Sequence, residues 1–119
     1  MYDIPFQTAN WDSIPETNHP GETGNATWRT IKYDDLRIRL VQYSENYRAD
    51  HWCEVGHILY CLEGELTTEL QNGKTVVLTA GMSYHVSDKR SSHRSSTKKG
   101  AKLFIVDGGF LKGTKDSTD

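Results

Sequence analysis

No stretch of this chain approaches the ~20 consecutive apolar residues that a membrane span requires, so no transmembrane helix is expected. Cysteine is equally scarce: Cys53 and Cys61 are too few for the disulfide framework of a small secreted domain. The start, Met1-Tyr2-Asp3-Ile4-Pro5, has neither a basic n-region nor an apolar h-region. It therefore predicts no signal peptide, with a reducing cytoplasm as the compartment. Positive charge is not in excess either. Fourteen Lys and Arg against sixteen Asp and Glu leave a net charge of -2, which excludes the broad basic field that phosphate backbones select, so nucleic acid is not an expected partner. The most basic stretch, Lys89-Arg90 through Arg94 to Lys98-Lys99, is interleaved with serines and reads as a solvated loop and turn. Apolar residues make up only 35% of the 119, and the mean hydropathy is -0.68. A domain of this size buries only roughly 60 to 70% of the surface of its unfolded chain. A thin core is predicted, one that gains stability from a bound metal or from a partner subunit.

Helical periodicity is also missing, and what is present is β. Residues 1 to 22 hold all three prolines, Pro5, Pro15 and Pro20, and show no sustained period. They read as an N-terminal arm whose Ile4, Phe6, Trp11 and Ile14 dock on the body or on a neighbouring subunit. From residue 23 to 107, short β-branched and aromatic segments alternate with turns, the pattern of a single sandwich or barrel domain. Ala26 to Tyr33 and Leu36 to Tyr43 form one pair of strands about a turn at Asp34-Asp35, and Leu40-Val41 breaks the alternation as a bulge or sheet corner would. His57 to Leu62 reads as a strand stopping at a turn, Glu63-Gly64. Glu65 to Leu70 and Thr75 to Leu78 flank Asn72-Gly73, the strongest short hairpin signal. Met82 to Val86 and Ala101 to Val106 supply the remaining strands. Residues 108 to 119 are polar and glycine-rich, a tail expected to be partly disordered.

The segment Asp50-His51-Trp52-Cys53-Glu54-Val55-Gly56-His57 places two histidines and a cysteine within seven positions. If it is a strand, period-two alternation sends His51 and Cys53 to one face and Trp52 to the other. His93 adds a fourth donor. Imidazole and thiolate suit zinc, iron, nickel or copper, whereas calcium and magnesium want oxygen.

These residues resemble the cupins, whose first motif runs glycine, spacer, His-x-His, three or four residues, glutamate, six residues, glycine. His51 and Cys53 stand at the His-x-His positions, His57 at the glutamate, and six residues separate it from Gly64. Gly81 to His93 matches the second motif more loosely, with Ser87 and Lys89 replacing its usual proline and glycine and Thr97 at its asparagine. More narrowly, Ala49-Asp50-His51-Trp52-Cys53, Gly56-His57-Ile58-Leu59 and Cys61-Leu62-Glu63-Gly64-Glu65-Leu66 resemble the small bacterial DHCW-motif cupin fold proteins. The resemblance implies a single-domain, all-β, antiparallel barrel of the double-stranded β-helix or jelly-roll type. It further implies one divalent metal per chain, held by His51, Cys53, His57 and His93; because thiolate and imidazole both suit it, zinc is the first expectation, with iron or nickel next. Cys61 shares the inward parity with Leu59 and reads as a buried apolar residue, while His85 and His19 are assigned no metal role.

Three functions remain open at this point. One is a metallo-cupin with a small-molecule pocket beside an open coordination position. The second is a non-catalytic metal-binding or sensing module, in which Cys53 and three histidines close a four-coordinate zinc site. The third is a metal-free ligand-binding barrel. A homodimer clasped by the arm is expected, because a thin polar barrel leaves strand edge and face uncovered.

Overall fold

The computed structural model describes residues 2 to 113. Nine strands follow one another: β1 (Thr17–Pro20), β2 (Asn25–Tyr33), β3 (Leu36–Tyr43), β4 (Tyr47–Arg48), β5 (His57–Leu70), β6 (Thr75–Thr79), β7 (Ser83–Val86), β8 (His93–Thr97) and β9 (Ala101–Asp107). Every pairing is antiparallel, in the order β1-β2-β3-β9-β5-β8-β4, with β6 and β7 also joined to β5. The result is one curled sheet of the jelly-roll type. Short 3-10 turns at Trp11–Ser13 and Gly109–Leu111 are the only helical pieces among the described residues. Of the polar tail expected from 108 onward, residues 114 to 119 lie outside the described part.

β5 carries the curl. Its first half pairs with β9 and β7, and its second half with β6 and β8. Glu63-Gly64 is therefore not the turn that the sequence suggested: the strand runs through it. The register against β9 shifts between Cys61 and Glu63, so the strand bends at a bulge instead of ending. Gly64 has φ +80°, and a Cβ there would stand 2.2 Å from the Gly100 carbonyl oxygen. Only glycine permits both the left-handed backbone and the close approach of the next strand. The expected irregularity at Leu40-Val41 does not occur, since β3 keeps unbroken register with β2 and β9.

Inward rows have two characters. On β9 the inward set is Ala101, Leu103, Ile105 and Asp107, all buried, and on β5 it begins His57, Leu59, Cys61. Val41, Leu59, Cys61, Leu66, Leu78, Ala101, Leu103 and Ile105 form one apolar core. Each large aliphatic side chain buried there contributes about 1.5 to 3 kcal/mol relative to exposure. Because β5 and β9 are antiparallel, His57 and Asp107 fall together at one end of this core, and Arg37 pairs with Asp107 from the other side. That end of the barrel is polar.

β3 turns the opposite way from its simplest hydrophobic reading. Arg37, Arg39 and Tyr43 line the interior cavity, while Ile38 lies under the arm with Ile4, Trp11 and Ile14. Trp11 meets the outward Phe104 edge-on, with centroids 6.2 Å apart, and the Arg29 guanidinium donates to the carbonyls of Trp11, Asp12 and Ile14. The arm thus covers an outer apolar face, and part of it, β1, adds a strand to the sheet edge.

Substituting Gly64 with alanine should lower stability by roughly 2 kcal/mol or more, because left-handed backbone strain adds to a clash with fixed backbone. Gly73 also has positive φ, but a Cβ there would meet nothing within 4 Å. Gly73→Ala should therefore cost only about 1 kcal/mol, and urea unfolding midpoints of the two variants compare them directly.

Candidate metal centre

Residues 49 to 56, apart from a bridge at Cys53, are a loop, not the strand on which the alternation of His51 and Cys53 was based. The loop is fixed at two points. Cys53 and His93 exchange both backbone hydrogen bonds, at 2.8 and 3.0 Å, which sets the two residues directly opposite each other as in an antiparallel pair. Gly56 then passes so close to β7 that a Cβ would lie 2.4 Å from the Val86 oxygen, and its N–H donates to Asp88 Oδ1 at 2.6 Å. His57 follows immediately as the first residue of β5. Backbone pairing from two directions thus brings Cys53, His57 and His93 together, and their donor atoms all lie within 4.8 Å of one another.

The tautomers follow from the partners. His57 Nδ1 is 3.0 Å from Asp107 Oδ2, and His93 Nδ1 is 3.0 Å from the Ser91 carbonyl oxygen. Both partners only accept, so each Nδ1 donates, and in the neutral ring it is Nε2 that carries the lone pair a metal would take. His57 Nε2 lies 3.9 Å from Cys53 Sγ, close to the roughly 3.6 Å separating sulfur and nitrogen donors on one tetrahedral ion. His93 is 3% exposed, and its Nε2 is buried with no hydrogen-bond partner. An orphaned buried lone pair facing a thiol and a second imidazole is what a metal ligand set leaves when the ion is taken away. The donor set fits a divalent transition ion. Burial pushes the Cys53 thiol up, but the contacts with His57 and the Val55 backbone and the charge of Arg39 outweigh it, and the net direction is down.

His51 does not join this cluster. Its side chain is 72% exposed, Nδ1 is 2.7 Å from Asp50 Oδ1, and it stands at the rim of the cavity that the triad faces. Cys61 is buried in the core, His85 is exposed on β7, and His19 stacks on Trp28 at 3.6 Å.

Sequence reasoning missed the hub beneath the triad. Asp107 Oδ1 accepts from Arg37 Nε at 2.8 Å, and Oδ2 accepts from Arg37 Nη2 at 3.0 Å, Arg39 Nη2 at 2.9 Å and His57 Nδ1. Burial would raise this carboxyl's pKa, but the hydrogen bonds from His57 and Arg37 and the charges of Arg39 and Arg37 hold it well below the usual range. The available signal was parity: Asp107 continues the inward row of β9, and a carboxylate at an inward position calls for a partner.

Above the triad lies a cavity of about 230 Å³, walled by Trp28, Arg39, Tyr43, Tyr84 and Ile105 among others. No family model matches the chain, and no curated protein matches it in sequence. Solved structures do match it. An RmlC-like cupin from Shewanella frigidimarina aligns over 96% of this chain and 97% of its own, with 16% identity and a TM-score of 0.70. A cupin-2 domain protein from the same organism aligns over 68% and 78%, with 21% identity and a TM-score of 0.56. Fe(II)-HppE aligns over 90% of this chain but only 63% of its own, with 18% identity and a TM-score of 0.69. The fold is that of the cupins, and its metal-compatible cluster is Cys53, His57 and His93.

Replacing Asp107 with asparagine removes the anion that faces two guanidinium groups. A loss of about 3 to 5 kcal/mol in unfolding free energy is expected, measured by denaturant titration.

Proposed function

We propose that this chain is a small metal-binding cupin that holds one divalent transition ion through Cys53 Sγ, His57 Nε2 and His93 Nε2 and admits a small molecule to the cavity above it. The observation that carries this reading is the pair of histidines whose Nδ1 protons are already engaged, leaving two lone pairs converging with a thiol. Zinc is the first choice because thiolate and imidazole both suit it, with iron and nickel next. When bound, such an ion acts as a Lewis acid on a ligand oxygen or on water. The chain's own residues do the rest: Asp107 fixes the His57 ring, Ser91 fixes the His93 ring, and Tyr43, Tyr84 and Ile105 narrow the approach.

Three protein donors leave coordination open toward the cavity, which supports a ligand-binding or catalytic site over a closed one. His51 at the rim supports the second reading. If it swings inward, it supplies the fourth donor, and the site becomes a closed, non-catalytic zinc module.

Metal analysis separates these. One ion per chain is expected, lost in His57→Ala and in His93→Ala and kept in His51→Ala. Loss in His51→Ala as well would establish the closed site, and metal content unaffected by any of the three would end both readings. With cobalt in place of the native ion, a sulfur-to-metal charge-transfer band should appear and vanish in Cys53→Ala.

We also propose a homodimer in the cytoplasm. The outward side chains of Ile58, Tyr60 and Leu62 on β5 remain exposed, as does Met82 in the turn before β7, and Phe6 in the arm is 87% exposed, which supports a second copy as the cover. Two free thiols, Cys53 and Cys61, suit a reducing compartment. No helix among the described residues is long and apolar enough to cross a membrane. Light scattering at micromolar concentration should give twice the chain mass, falling toward the monomer when residues 1 to 16 are deleted.

A further inference from the structure

The cavity above the triad has a second polar anchor that the metal does not use. Arg39 is 4% exposed and lines this cavity from β3. Its Nη2 binds Asp107, and its guanidinium carbon lies 4.3 Å above the Trp28 ring centroid, so the group is held flat and in place. Its Nε, however, is buried and has no partner. A buried N–H of a charged group left unmatched is costly, and this one belongs to a side chain that Trp28 and Asp107 prevent from turning away.

Charge points the same way. Arg37 and Arg39 both lean on one carboxylate, and Asp107 already accepts four hydrogen bonds. One positive charge in the wall is uncompensated. Among the described residues lining the cavity there is no aspartate or glutamate, while Arg37, Arg39, His51, His57 and His93 are all present. A divalent ion with a single thiolate ligand adds another net positive charge. The volume, about 230 Å³, lies below the ~300 to 1,000 Å³ of pockets for drug-sized ligands, so the occupant is small.

We propose that the cavity binds a small organic oxyanion, a carboxylate or phosphonate of a few carbon atoms, with the Arg39 guanidinium in the cavity wall as its counter-charge. The proposal rests on the metal reading for the ligand's second anchor, the open coordination position, but not for the first. Phosphonates and carboxylates share the chemistry that Arg39 recognises, and calorimetric titration of the full chain with pyruvate, methylphosphonate and neutral lactamide tells them apart.

At least one of the two anions should bind the wild-type chain tenfold or more tightly than lactamide does. Arg39→Gln should weaken that anion at least tenfold with lactamide unchanged, and Arg39→Lys should keep the preference for the anion at reduced affinity. Equal binding of lactamide and both anions, or anion affinity unaltered in Arg39→Gln, would overturn the proposal. Should Arg39→Gln fail to fold, the wild type and Arg39→Lys decide: a lysine variant that binds the anion as tightly as wild type counts against the Arg39 contact. Metal content measured on the same samples separates the two readings. Stoichiometric metal without an anion preference sinks this proposal alone, whereas an Arg39-dependent preference in chain that holds no metal sinks the metal reading alone.

Discussion

The carboxylate of Asp107 is the constraint around which the polar end of the barrel is organised. It lies at the end of an inward row that is otherwise Ala101, Leu103 and Ile105, and it is buried. An isolated anion could not stay there ionised, and the neighbouring strands supply what it needs: Arg37 and Arg39 from β3 and His57 from β5. The dependence is mutual. Without Asp107 the two guanidinium groups would face each other with no anion between them, and the His57 ring would lose the bond that orients it. One buried acid therefore ties three strands together and orients a donor of the candidate metal centre, so structure and chemistry cannot be separated at this residue.

Two backbone devices then deliver the other donors. The bulge at Cys61 to Glu63 lets β5 serve both halves of the curled sheet, so its first residue, His57, faces β9 while its last, Leu70, pairs with His93 at the start of β8. The loop of residues 49 to 56 returns across the barrel end and closes on β8 through the reciprocal Cys53 and His93 hydrogen bonds. Neither device is a side-chain effect. Donors far apart in the chain are placed by ladder geometry, and the side chains need only be the right chemical types.

How much of this was legible in the sequence depended on how local the determining interaction was. The hairpin at Asn72-Gly73 was readable because its turn is local; it closes with the Leu70 N–H donating to the Lys74 oxygen over a three-residue loop in which Gly73 alone has positive φ. Cys53, His57 and His93 were readable as donors by chemical type. Glu63-Gly64 was misread, because the same glycine that serves a turn also serves a bulge under a neighbouring backbone, and only Gly100 on the adjacent chain segment distinguishes them. The face of β3 was illegible for a related reason. Ile38 is covered by the arm and Arg39 is inside because Asp107 is there, and both partners are remote in sequence. His51 shares parity with Cys53 only on a strand, and the segment is a loop.

The wall of the cavity also limits the chemistry the chain can perform by itself. Tyrosine hydroxyls are protonated near neutral pH in any case, and burial raises Tyr43 and Tyr84 further, so they can donate a proton in a hydrogen bond but not act as a base. Asp107, the carboxylate beneath the triad, accepts four hydrogen bonds from Arg37, Arg39 and His57 and is held well below the usual carboxylate range, too weak a base to remove a proton from carbon. His57 and His93 lose their basic lone pairs to a metal when one is bound. The wall therefore offers hydrogen-bond donors and no free carboxylate, and the acid–base groups left to any reaction there are the imidazoles, with His51 beside Asp50 at the rim the most accessible of them.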